Sequence, residues 1–276
     1  MVGHYGSMPI TSQIFQMALL TSVVGVFCGA CAGNAAQSAP ESGPKTAPSA
    51  TTAANSKSAQ EPERASSKTP TTAPATSDGW ITLFDGGDPA KYFRGFKKNS
   101  FPTGWVVRDG CLVRTGPGGD LITRDQFQNF DLTLDWKILK GGNSGIMYHV
   151  SEDANNTYDT GPEMQILDDD AHNDGKDRLT CAGANYALYP APKGIVKPVG
   201  QWNSIRILCV GDHVEQYMNG VQICSFDVGS ADWKARLLAS KFTKFPLYAT
   251  KSTGHIALQD HGDEVSFRNI RIKPLP

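Results

Sequence analysis

The sequence predicts an all-β fold: a sandwich of two antiparallel sheets built from the last roughly 200 residues, ample for one large core. Three observations carry this. Short apolar runs alternate with Gly, Asp and Asn from Gly79 onward. Almost no stretch has helical periodicity. The first run, Trp80–Asp85, and the last, Val265–Ile272, are both strongly strand-like, as when the two ends of a sandwich pair.

Each element has its own signal. Trp80–Phe84 opens the series and is followed at once by Asp85-Gly86-Gly87. Trp105–Arg108 and Cys111–Arg114 flank Asp109-Gly110, a pair suited to a two-residue hairpin turn. Phe130–Trp136 alternates apolar and polar residues, the mark of a half-buried strand. Ser144–Val150, Glu163–Leu167, Asn203–Val210, Val214–Met218, Val221–Phe226, Gly254–Gln259 and Val265–Lys273 complete the strands, and Ser230–Ser240 is the single helical stretch. Gly211-Asp212 and Asn219-Gly220 are the turns of a meander. In its simplest register Cys209 lies across from Val214 and Cys224 across from Glu215, so the two thiols face apart. Four cysteines after the leader (Cys111, Cys181, Cys209, Cys224) allow three pairings in an oxidising compartment; buried free thiols are the alternative.

Upstream the composition changes. Residues 1–33 read as an export signal, with an apolar stretch from Ile14 to Ala32 that is short for a membrane span. Ala30-Cys31-Ala32 suits ordinary secretion; Gly29-Ala30-Cys31 suits lipidation at Cys31, although no Lys or Arg precedes Lys45. Residues 34–78 are rich in Ala, Ser, Thr and Pro and hold no aromatic residue, so they cannot offset the entropy of ordering and read as a disordered linker. The chain is therefore expected outside the cytoplasm, in the periplasm, anchored at an outer membrane or extracellular. A formal charge of -1 offers no basic field for nucleic acid. Neither a phosphate-cradling Gly loop nor a Ser nucleophile elbow is present, which argues against a nucleotide cofactor.

Side-chain parity groups the polar residues that could carry chemistry. Glu163 and Gln165 project from one face of their strand, where a solvated outer face is the plain alternative. Gln259 and His261 share a face, and His149 is placed with Gly145 and Met147. Asn143 follows Gly141-Gly142, where a backbone can approach a ligand closely. Asp168-Asp169-Asp170-Ala171-His172-Asn173-Asp174 forms an acidic loop whose Asp168 and His172 suit a divalent metal ion (Ca²⁺, Mg²⁺ or a transition metal); a solvated loop is the alternative. Tyr148, Tyr186 and Trp202 are candidates to stack on the flat face of a ligand ring.

Eight motifs in order carry a family resemblance. They are Leu83-Phe84-Asp85-Gly86, Trp105-x-Val107-x-Asp109-Gly110-x-Leu112, Asn143-Ser144-Gly145-Ile146, and Gly161-Pro162-Glu163-x-Gln165-Ile166-Leu167-Asp168. Gly183-Ala184-x-Tyr186, Trp202-Asn203, Gln259-Asp260-His261-Gly262 and Phe267-Arg268-Asn269-Ile270 follow. Residues 79–276 thereby resemble the 3-keto-disaccharide hydrolase family, which implies a concanavalin A-like jelly roll acting on glycosides whose C3 hydroxyl is oxidised to a ketone. The resemblance favours Glu163, His261 and His149 as catalytic residues. Gln165, Gln259, Asn143, Arg268 and Tyr148 would bind substrate, with Arg268 paired to Glu163 or Asp260. It also implies a separate oxidoreductase that makes the ketone. A non-catalytic carbohydrate-binding or envelope interaction module is the alternative, because fold does not fix function.

Overall fold

The structure is a computed structural model in which residues 76–276 are described. The expected export signal, Cys31 and all but the last three residues of the linker lie outside the described residues. The chain from Ile81 onward forms two antiparallel sheets facing each other, a jelly-roll sandwich.

Thirteen strands follow in chain order: β1 (Ile81–Phe84), β2 (Phe93–Gly95), β3 (Trp105–Arg108), β4 (Cys111–Arg114), β5 (Leu121–Thr123), β6 (Phe130–Ile138) and β7 (Asn143–Val150). Next come β8 (Glu163–Leu167), β9 (Asn203–Val210), β10 (His213–Met218), β11 (Val221–Asp227), the helix α1 (Ala231–Ala239), β12 (His255–Leu258) and β13 (Val265–Pro274). The larger sheet has the order β11-β10-β9-β6-β13-β4-β3, with β1 pairing on β13. The smaller is β2-β5-β12-β7-β8. Ile81 pairs with Ile272 and Phe84 with Ile270, so the first and last strands do tie the domain together. At two of the three tight turns both central residues take positive φ, Asp109 and Gly110, then Asn219 and Gly220, and at the third Gly211 alone does. That is the geometry those dipeptides favour. The two strands without a sequence signal, β2 and β5, are three residues each, too short for alternation to show.

The larger sheet keeps the half-buried alternation its sequence shows; β6 alternates buried and half-buried residues along its whole length. Its inner residues, Phe130, Leu132, Leu134 and Trp136 on β6 with Phe267 and Ile272 on β13, pack against Ile146, Tyr148, Met164, Ile166, Ile256 and Leu258 of the smaller sheet. The smaller sheet differs: every residue of β7, β8 and β12 is buried. Its second face carries its own small apolar cluster of Ile122, Met147, Val150 and Ala257 beneath covering loops.

Two local irregularities redirect side chains. Along β7, Met147 pairs with Ala257 but Val150 pairs with His255, so two residues oppose one. This bulge centres on His149, whose φ is 52°. His149 therefore leaves the face of Gly145 and Met147, and Val150 takes its place there. On the β10–β11 hairpin a register shift after Gln216 puts Cys224 opposite Gln216, not Glu215. Cys209 lies across from Val214 as expected, so both thiols turn to the inner face, and the expectation that they point apart is corrected. All four cysteines of the described residues are free thiols. Burial pushes the Cys224 thiol up to about 12.

The bulge depends on a close approach. A Cβ at Gly254 would sit 2.3 Å from the backbone carbonyl carbon of His149. Gly254→Ala should therefore destabilise the domain by about 2 kcal/mol. Urea unfolding of the variant against wild type measures this; an unchanged midpoint would contradict the tight packing.

Candidate active site

The second face of the smaller sheet floors a cavity of about 300 Å³. β8 supplies Glu163 and Gln165, β7 supplies Asn143, and the segment after β12 supplies Gln259 and His261. Five of the residues expected at a site are thus brought together. Tyr186 lines the same cavity, for a local reason: Gly183 and Tyr186 donate backbone N–H groups to the carbonyls of Gln165 and Glu163, and Gln165 donates to Ala184. The Gly183–Tyr186 motif runs beside β8 and sets the phenol next to Glu163.

Glu163 is 6% exposed, so the solvated-face alternative for β8 does not hold. Its carboxyl lies over Gly145, where an added Cβ would fall 2.1 Å from Glu163 Oε1. Burial pushes the Glu163 carboxyl up to about 8, against the opposing pull of the Lys241 ammonium. Around it stand three amides. Asn143 Oδ1, Gln165 Oε1 and Gln259 Oε1 are buried without a hydrogen-bond partner, three of seven such atoms among the described residues. Acceptors left open in one cavity suit a ligand rich in hydroxyl donors. His261 is half exposed at the rim, with Nε2 3.4 Å from Asn143 Nδ2. Its far side faces a second hollow of about 350 Å³ that shares Tyr158, Gln259 and His261 with the first. The groove therefore extends past the rim histidine, towards Asp120 and Asn156.

Four further lining residues carried no strand signal: Tyr158, Asp174, Lys241 and Phe242. All sit in or beside single 3₁₀ turns, Thr157–Asp159, Asn173–Lys176 and Lys241–Lys244. Three distant turns reach one cavity only through the fold, so no local pattern could have grouped them.

Other expected residues stand elsewhere. Tyr148 points between the sheets, where its hydroxyl accepts hydrogen bonds from Asn185 Nδ2 (3.0 Å) and Gln216 Nε2 (3.3 Å). His149, turned away by its bulge, packs edge-on against Phe130 and Tyr148, with Nε2 2.8 Å from the carbonyl of Gln128. Burial holds its pKa below the usual histidine value. Arg268 lies on the larger sheet, where it pairs with Asp135 at 3.1 Å and stacks 4.1 Å from the ring of Trp202. The carboxylate expected to pair with it, Asp260, is held by Arg114 at 2.6 Å and by the backbone N–H groups of Gly118 and Gly119. Trp202 is occupied by Arg268 and Lys137 and does not line the cavity.

In the acidic loop Asp168 accepts from the backbone of Gly141 (2.7 Å) and Asp170 (3.1 Å), and His172 Nδ1 accepts from Asp174 N (3.1 Å). These groups brace the loop and cap its 3₁₀ turn. Among the described residues no group of three or more His, Cys, Asp or Glu side chains is arranged to hold a metal ion.

Residues 79–273 match the family model of the 3-keto-alpha-glucoside-1,2-lyase-like domain. A relative named 3-keto-disaccharide hydrolase, from Bacteroides thetaiotaomicron, is 37% identical and aligns over 73% of this chain and 80% of its own. A crystal structure of a candidate glycosyl hydrolase from Parabacteroides distasonis is 38% identical, with a TM-score of 0.68, covering 72% of this chain and 95% of that one. A second from the same organism is 29% identical, with a TM-score of 0.57, covering 71% and 99%.

The buried carboxyl makes a stability prediction. A Glu with a folded pKa of about 8 and an ordinary value of 4.5 binds its proton more tightly when folded. Its contribution to stability is complete below the unfolded value and is lost as pH rises through the folded one. Glu163→Gln cannot ionise. Its melting temperature should match wild type near about pH 4 and exceed it by on the order of 10 °C above about pH 8. Thermal melts across that range read the difference; parallel curves would mean that Glu163 ionises freely.

Proposed function

We propose that this chain, which belongs to the 3-keto-alpha-glucoside-1,2-lyase-like family, cleaves glycosides whose C3 hydroxyl has been oxidised to a ketone. The observation that carries the reading is a buried carboxyl of raised pKa, Glu163, among three amides with open oxygens. A carboxylate poised near 8 is a stronger base than an ordinary one. A ketone at C3 makes the hydrogen on C2 acidic, so a base is what this chemistry needs first.

The Glu163 carboxylate takes the C2 proton, and the electron pair moves onto the C3 oxygen as an enolate. When the C3 carbonyl re-forms, a C1=C2 double bond forms and the bond from C1 to the leaving oxygen breaks. His261, at the rim between the two hollows, gives that oxygen its proton. Water then adds across C1=C2: its oxygen bonds to C1, the proton it loses returns to His261, and Glu163 gives its proton to C2. One water is consumed and no carbon is oxidised overall. Asn143, Gln165 and Gln259 accept hydrogen bonds from the ring hydroxyls and fix the sugar over Glu163. The ketone itself comes from a separate oxidoreductase acting earlier.

Because the base must be ionised, Glu163 should give the kcat/KM profile a limb that rises with pH towards about pH 8. Glu163→Gln should lower kcat/KM by about 10³-fold and remove that rise. The assay follows sugar release from a 3-keto-disaccharide, with and without chelator. Glycan binding with no release at any pH would make the domain a binding module.

We extend the reading to location: export through residues 1–33, ending either in free secretion or in lipidation at Cys31. The mass of the mature amino terminus from cell fractions separates the two, and an unprocessed cytoplasmic chain would refute export.

A further inference from the structure

We propose that the ammonium of Lys241 is the group that meets the C3 oxygen of the substrate as negative charge collects on it, which makes Lys241 a catalytic residue. The assignment rests on the reaction proposed above. Removal of the C2 proton leaves an enolate, and an enolate in a cavity floored by buried side chains needs a fixed positive partner. Among the described residues that line the cavity, Lys241 alone carries an ammonium or guanidinium.

Its surroundings leave that charge available. Lys241 Nζ takes part in none of the ion pairs of the described residues. Instead it stands 4.3 Å from the centre of the Tyr186 ring and 5.5 Å from that of Phe242. An aromatic face positions a cation without neutralising it, and leaves N–H donors free for an oxygen anion. The Tyr186 ring is held in turn, because its hydroxyl donates to Asp174 Oδ2 at 3.1 Å.

The backbone under Lys241 is equally constrained. Ser240 ends α1, and its hydroxyl accepts from Phe242 N at 3.1 Å to start the next turn. Phe242 is buried and stacks on Tyr248 with ring centres 4.0 Å apart. A lysine on so anchored a turn reaches the cavity as a placed charge. The same cation favours the ionised form of Glu163 against burial, so one group both helps form the carboxylate that takes the proton and receives the charge that proton leaves behind.

Lys241→Met and Lys241→Arg test this in the full chain with a 3-keto-disaccharide. Lys241→Met should lower kcat by about 10²-fold with KM within about threefold, since an enolate contact exists only after proton removal. Exchange of the substrate C2 proton with deuterium from solvent should slow by the same factor, and the rising limb of the pH profile should move upward. Lys241→Arg keeps the charge and should recover about tenfold of the loss. Matched melting temperatures exclude a folding defect; if Lys241→Met fails to fold, wild type against Lys241→Arg still reads the placement of the charge. A Lys241→Met enzyme within about threefold of wild type in kcat, or a wild type that chelator silences while Lys241→Met is unimpaired, overturns the assignment. An inert wild type, with or without added divalent metal, overturns the reaction itself; an active wild type with an unimpaired variant overturns only the role of Lys241.

Discussion

The site depends on one constraint: the strand pair β7–β8 is buried on both faces. One face belongs to the sandwich core through Ile146, Tyr148, Met164 and Ile166. The other lies beneath the turns that bring Tyr158, Asp174, Tyr186 and Lys241. A carboxyl on that second face cannot keep its water, so Glu163 holds its proton far above the ordinary carboxylate range. A displacement of that size corresponds to on the order of 5 kcal/mol between the two protonation states. It is comparable with the whole stability of many domains. The fold tolerates it because the large sheet and the pairing of β1 with β13 supply the stability elsewhere.

The strands were legible because their signals are local. Alternation along β6, dipeptides that accept positive φ at the hairpin turns, and apolar ends that pair are all written within a few residues of one another. Glu163, Gln165, Gln259, His261 and Asn143 were legible for the same reason, since parity along a regular strand fixes a face. Parity fails where the strand is not regular. One extra residue at His149 reverses everything beyond it, and a shift after Gln216 turns Cys224 inward. No residue type at either place marks the irregularity: a histidine at positive φ is uncommon, and nothing in its neighbours announces it. Lys241 and Tyr158 were hidden differently, because they come from turns whose contact is made only by the folded chain.

The arginines show why the site works where it stands. The sequence suggested that Arg268 holds Glu163 or Asp260. Had it held Glu163, a fixed guanidinium would have drawn the carboxyl below its ordinary range and left a weak base, silent at neutral pH. Instead three guanidiniums are committed to other carboxylates: Arg268 to Asp135, Arg114 to Asp260, Arg94 to Glu152. What reaches Glu163 is a single ammonium, softened by distance and held by an aromatic face. An ion pair would have stabilised the fold and removed the base. Keeping the strong cations paired away from Glu163, and one weaker cation near it, leaves a carboxyl that can take a proton and a charge that can receive what the proton leaves behind.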